Sequence, residues 1–131
     1  MDCLFCKIIK GDIPSYKIYE DEYTYAFLDI AKDFVGHTLV ISKKHVTNIL
    51  NADSETLLHV MEAVKKISNH YINECGYDGV NILNNNNSSA DQSVMHLHVH
   101  IIPRKVNDNL HVFPNNKMEM DLDSIYNELK M

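Results

Sequence analysis

The sequence predicts an α+β fold: an antiparallel β-sheet meander with one long helix packed on it. Three observations predict it. Short stretches rich in Tyr, Phe, Ile and Val recur between turn-forming residues, as in Tyr16–Glu20, Tyr23–Asp29 and His37–Ser42. One long stretch after Asp53 repeats its apolar residues at helical spacing. From Met95 to Ile102 the chain alternates strictly, with His96, His98 and His100 set between Leu97, Val99 and Ile101, the pattern of a strand with two unlike faces. Strands that bury one face need a covering layer, and the long helix supplies it.

Each element follows in order. Leu4–Lys10 reads as a short helix, ended by Gly11 and Pro14. Tyr16–Glu20 and Tyr23–Asp29 are two strands, with Asp21-Glu22 between them as a hairpin turn. Val35-Gly36 is a turn before a strand over His37–Ser42, and Lys43–Asn51 is a connection with a short helical turn. Asp53 or Ser54 caps the long helix, whose apolar stripe is Leu57, Met61, Val64, Ile67 and Tyr71, and Gly76 ends it at the C′ position. Val80–Leu83 is the next strand. Asn84–Asp91 is a polar loop, its asparagine run fitting either a tight backbone path or plain compositional bias. Met95–Ile102 is the histidine strand, stopped by Pro103. Asp121 caps a last short helix carrying Leu122, Ile125, Tyr126 and Leu129 on one side. At 131 residues the chain is expected to be one domain, with 108–131 as its tail.

Composition narrows the function. Twelve basic against 18 acidic residues give a net charge of −6, which argues against a nucleic-acid scaffold but not against one small nucleotide. No stretch is apolar for long enough to span a membrane, and the N-terminus lacks a secretory pattern, so a cytoplasmic protein is expected. Three cysteines, Cys3, Cys6 and Cys75, do not form a secreted disulfide framework. Cys75 has no sequence partner and is expected to be a buried thiol. No glycine-rich phosphate loop can be written anywhere in the chain.

The histidine row carries the chemistry. Three imidazoles on one strand face admit three readings: an inert surface, a catalytic metal site, or nucleophilic catalysis by imidazole. Gln92 and Ser93, just before the row, offer amide and hydroxyl donors suited to phosphate oxygens. No carboxylate alternates with the histidines to cage a hard cation. Separately, Cys3-x-x-Cys6 has the spacing of half a zinc knuckle, though a redox pair or two packed thiols would look the same.

The run His96-Leu97-His98-Val99-His100-Ile101-Ile102 resembles the motif of the histidine-triad (HIT) nucleotide hydrolases and transferases. The resemblance extends over nearly the whole chain, through Cys3-Leu4-Phe5-Cys6, Ile13-Pro14, Tyr19-Glu20-Asp21-Glu22, Ala26-Phe27-Leu28-Asp29-Ile30 and Gly36-His37. It implies that His98 attacks the α-phosphate of a purine nucleotide, forming a covalent nucleotidyl-histidine that water then hydrolyses. His100 and His37 would bond phosphate oxygens, Ser93 and Gln92 would contact the phosphate and leaving group, and Asn85 would stand on the phosphate side. Asp29 would hold the ribose hydroxyls, and Phe5, Ile8, Phe27, Ile30 and Leu39 would form the base slot. Without the resemblance, ordinary core packing is the simpler reading of Phe5, Ile8 and Phe27. The resemblance also implies a structural Zn2+ site of Cys3, Cys6, His45 and His96, and a homodimer whose sheets join.

The chain departs from the common family pattern in places. Asn87 and Asp91 stand where glycine is frequent, and Lys32, Val35 and Ser42 where proline is frequent. Two substrate classes remain open, phosphoramidates and dinucleoside polyphosphates, the Pro103-Arg104 ending leaning towards the second. A nucleotide-binding regulatory module with little turnover is the alternative from another class.

Overall fold

In the computed structural model, which describes residues 2–131, the chain enters through helix α1 (Leu4–Lys10). Cys3 caps it, its Sγ accepting the Cys6 N–H, and Gly11 at φ +86 closes it by donating to the Ile8 and Lys7 carbonyls. Strands β1 (Lys17–Glu20) and β2 (Thr24–Leu28) form the expected hairpin. Its turn is held by Asp21 Oδ1, which accepts the N–H groups of Tyr23 and Thr24 at 2.8 Å each. Strand β3 (Thr38–Ser42) pairs antiparallel with β2. Helix α2 (Ser54–Glu74) starts on Asp53, whose side chain accepts the Thr56 N–H, and Gly76 follows it at φ +81. Strand β4 (Gly79–Leu83), a single 3₁₀ turn (Ser88–Ala90), strand β5 (His98–Arg104) and helix α3 (Leu122–Leu129) complete the described chain.

The sheet is antiparallel throughout, in the order β1-β2-β3-β5-β4. The first three strands make a meander. Helix α2 then crosses over to β4 at the edge, and β5 returns into the gap, so the strand carrying His98 and His100 is central and paired on both sides.

Alternation divides the sheet into two cores. Ala26, Val40, Val99 and Ile101 pack under α2 against Val60, Ala63, Val64, Ile67 and Tyr71. Tyr25, Phe27, Leu39 and Ile41 face the other way and pack with Phe5 and Ile8 of α1. Full burial of each such aliphatic or aromatic side chain contributes about 1.5–3 kcal/mol. Both faces are therefore covered, where the sequence predicted cover on one.

Five local expectations are corrected. The histidine strand starts at His98, not Met95, because the Leu97 N–H leaves the sheet to donate to Val46 O at 2.8 Å. His96 thus stands off the row. Pro103 does not stop β5; it pairs opposite Val80, and strand pairing to β3 has already ended at Ile101, so its missing N–H leaves no gap in a ladder. The buried stripe of α2 runs through Val60 and Ala63, while Met61 is exposed. Lys43–Asn51 contains bends and turns but no helical turn. Cys75 is exposed, with its Sγ 3.6 Å from His70 Nε2. Among the described residues no helix is long and apolar enough to cross a membrane.

Candidate active site and metal centre

The α1 face of the sheet opens into a cleft of about 380 Å³ between α1, the end of β2 and β5. Phe5, Ile8, Phe27 and Leu39 make its apolar floor, with Ile30, largely exposed, at its rim. Asp29, Ser93, His98 and His100 bring the polar atoms to the same cleft, and no Lys or Arg lines it. These side chains converge because β5 pairs with β3 in one register, His98 opposite Ile41 and His100 opposite Leu39.

The hydrogen bonds set the tautomers. His98 is buried, and its Nδ1 lies 2.7 Å from the His96 carbonyl. A carbonyl only accepts, so Nδ1 carries the proton and Nε2 keeps its lone pair. Burial pushes the His98 pKa below its ordinary value, keeping the ring neutral. Phe5 stands edge-on to it, ring centres 5.2 Å apart, and holds its plane.

His37 is buried beside it, with Nδ1 2.8 Å from Asp33 Oδ1 and Nε2 2.8 Å from His100 Nδ1. The His100 Nε2 is buried and has no hydrogen-bond partner. Burial, followed by the repulsion a charged His100 would meet from protonation of the His98 or His37 ring, lowers the His100 pKa to about 4. Asp29, His37 and His100 are close enough to be a cation set. The 2.8 Å nitrogen–nitrogen distance, however, is that of a hydrogen bond between the two rings.

A second cluster lies behind the first. Cys3, Cys6, His45 and His96 place one donor atom each within 4.8 Å of one another. His96 Nδ1 is 3.4 Å from Cys3 Sγ, 3.7 Å from Cys6 Sγ and 3.1 Å from His45 Nδ1, and Cys6 Sγ is 3.4 Å from His45 Nδ1. Tetrahedral zinc, with bonds of roughly 2.3 Å to sulfur and 2.0 Å to nitrogen, separates its donors by about 3.3–3.8 Å, so the residues fit the ion. His96 Nε2 bonds the Ser42 carbonyl at 2.6 Å, which leaves Nδ1 as the free donor. Burial, then the neighbouring Cys3 thiol, raises the Cys6 pKa, a pressure that a bound cation would reverse.

Three expected contacts are not brought to the cleft. His37, expected at the phosphate oxygens, does not line it and has both ring nitrogens engaged, Nδ1 with Asp33 and Nε2 with His100. The Gln92 amide is buried and fully engaged: its oxygen accepts from the Asn87 N–H and Asn48 Nδ2, and its nitrogen donates to the Thr47 and Val94 carbonyls. It clamps the loop that presents Ser93. Asn85 is half-buried and does not line the cleft. The residue that sequence reasoning missed is Asp33, four positions before His37 in a turn. Its only available signal was a carboxylate close to a histidine.

A match to the HIT domain family covers residues 10–107. An uncharacterized HIT-like protein of Borreliella burgdorferi is 45% identical over 132 aligned positions, covering 99% of this chain and 94% of the relative. An adenosine 5'-monophosphoramidase of Schizosaccharomyces pombe, hnt1, is 42% identical over 79% of this chain and 75% of its own length. A zinc-bound histidine-triad protein from Mycobacterium smegmatis superposes with a TM-score of 0.81 at 36% identity, over 89% of this chain and 85% of that one. Sequence and fold agree, and the chain belongs to the HIT family.

Proposed function

We propose that this protein hydrolyses a bond to the α-phosphate of a purine nucleotide through a covalent intermediate on His98. The observation that carries this reading is the His98 ring, neutral and tethered through Nδ1–H to the His96 carbonyl in the wall of the cleft, so that Nε2 keeps the lone pair. The Nε2 lone pair forms the N–P bond while the bond from phosphorus to the leaving group breaks. The leaving group departs with the electron pair and takes a proton from His100 Nε2–H, a proton acquired from solvent when the anionic phosphate binds. Water then attacks phosphorus, the N–P bond breaks, and the water's proton returns to His100. The nucleoside monophosphate is released.

The other side chains act by position. Asp29 accepts the ribose hydroxyls, Phe5, Ile8, Phe27, Leu39 and Ile30 hold the base, and Ser93 with His100 addresses the phosphate oxygens, while His37, with both ring nitrogens engaged, acts through His100. The preferred class is a phosphoramidate. A cleft with no Lys or Arg offers little to a polyphosphate chain. Arg104, the cation that leaned the other way, is engaged by Asp108, Asn81 Oδ1 and Leu110 O. The phosphoramidase among the relatives supports the same choice.

Cys3, Cys6, His45 and His96 would hold zinc, which would pin the α1 segment to the chain entering β5. The zinc-bound relative supports this assignment. The chain works as one domain with 108–131 as its tail, in the cytoplasm, as a homodimer joined through β4.

A substrate panel of adenosine 5'-phosphoramidate and diadenosine polyphosphates tests the reading. Turnover is expected on the phosphoramidate, and a denaturing quench should show protein carrying one nucleotidyl group. His98→Ala should lose both signals, with activity down at least about 1000-fold, while still binding adenosine monophosphate. Undiminished turnover in His98→Ala would remove the reading.

A further inference from the structure

The turn between β2 and β3 is built around a carboxylate that the reaction outlined above does not use. Lys32 takes φ +59 and Gly36 φ +76, so the chain doubles back within a few residues. A side chain at Gly36 would press on the Pro103 ring, its Cβ 3.1 Å from Pro103 Cγ, so the path is tightly set. This path brings Asp33 Oδ1 to 2.8 Å from His37 Nδ1. The same oxygen accepts the Phe34 N–H at 2.8 Å, which fixes the carboxylate against its own backbone.

A second carboxylate, Asp29, is also near His37, but its Oδ2 is 3.7 Å from Nδ1. Asp33 therefore makes the hydrogen bond and leaves Asp29 Oδ2 for a ligand. The other Asp29 oxygen accepts the Ala31 N–H at 2.8 Å.

We propose that Asp33 is a positioning residue: by accepting His37 Nδ1–H it fixes the lone pair on His37 Nε2, which in turn holds His100 Nδ1–H and turns His100 Nε2 to the phosphoryl group. The proposal rests on the α-phosphate reading for its catalytic half only. A carboxylate accepts and cannot donate in this state, so every proton in the chain has one place. His37 Nδ1 gives its hydrogen to Asp33, His37 Nε2 receives the hydrogen of His100 Nδ1, and His100 Nε2 remains as the working end. When that end takes a proton, Asp33 at the far end offsets the added charge without contacting substrate. The charged and titratable groups facing the ring pair are Asp29 at the end of β2, Asp33 in the turn and His98 on β5. Burial works against the charge on Asp33, yet the His37 hydrogen bond holds its carboxyl below the ordinary value.

Nitrogen NMR of the full-length protein labelled at histidine reads the hydrogen-bond chain with no substrate present. In the wild type, His37 should show a protonated Nδ1 and a bare, hydrogen-bonded Nε2. Asp33→Ala should give a mixture of His37 tautomers. Asp33→Asn should keep the wild-type tautomer, since its amide oxygen still accepts. In turnover of adenosine 5'-phosphoramidate, Asp33→Ala should lower kcat roughly 10-fold or more with KM changed by less than about threefold, and Asp33→Asn should fall between it and the wild type. An unchanged His37 signal in Asp33→Ala, with kcat within about twofold, would overturn the proposal while leaving the α-phosphate reading intact. A wild type that responds in the spectrum but turns over no nucleotide would sink that reading and the catalytic half of the proposal, and leave the hydrogen-bond half standing.

Discussion

His100 shows how a single side chain couples site and stability. Its folded pKa of about 4 lies below the ordinary histidine value of about 6.5. Between those values the unfolded chain binds the extra proton and the folded chain does not, so stability falls as pH drops through that window and levels off below it. The urea midpoint of the wild type should therefore decline from about pH 6.5 towards pH 4, and His100→Gln should decline less steeply. Equal slopes in the two proteins would contradict the neutral, buried assignment. The residue scale is also where sequence reading succeeded and failed most clearly. Alternation alone put His98 and His100 on the face opposite Val99 and Ile101. It could not tell that His96 had left the strand, because the cause is a bond from Leu97 to distant Val46. Asn87 and Asp91 were readable as glycine substitutes, and both take positive φ, +73 and +67. Asp33 was silent because a turn has no periodicity to read.

At the scale of elements, helix α2 separates what pattern can tell from what packing decides. Val64, Ile67 and Tyr71 were legible as its inward face and are buried. Met61 fits the same spacing but is 48% exposed, while Val60 and Ala63 take the inward places. Val60, Val64, Ile67 and Tyr71 themselves recur at steps of four, three and four, so the helical period admits this stripe as readily as one through Met61, and packing on Ala26, Val40, Val99 and Ile101 selects between them. Ile67→Ala should accordingly cost about 2–5 kcal/mol in chemical denaturation and Met61→Ala less than about 0.5 kcal/mol. Comparable losses at the two positions would mean that the helix is rotated from the orientation described. Proline usually ends a strand, but β3 has already run out beside Pro103.

On the scale of the molecule, two open sheet edges differ in kind. Strand β1 is short, irregular in register and bears Lys17 and Glu20, features that discourage pairing. Strand β4 has no charged residue. Because Pro103 has no N–H to give, the hydrogen-bonded partners of β4 are Gly79 with Arg104 and Asn81 with Ile102, which turns the N–H groups of Val80 and Ile82 to the open edge. A dimer joined at this edge should become monomeric in Ile82→Pro, with the inner ladder intact, as sedimentation would show. A monomeric wild type would remove the dimer. The Cys3, Cys6, His45 and His96 cluster is the other molecule-scale link, since its members come from the N-terminal segment, the β3–α2 connection and the residues before β5. Protein purified without chelator should hold about one zinc per chain, and Cys3→Ser should lose metal and melt at lower temperature. A Cys3→Ser protein that keeps its full zinc would reject the four-ligand set.

The central strand has one more consequence. Its imidazoles and its share of the core lie on opposite sides of the same few residues, locked between β3 and β4. Sliding by a single position would turn valine outward and histidine into oil, so no half-aligned form of the sheet could retain a working fraction of the chemistry. Under gentle denaturation, catalysis and ordered backbone should therefore vanish at the same midpoint, and a protein that had lost the one while keeping the other would have come apart somewhere else.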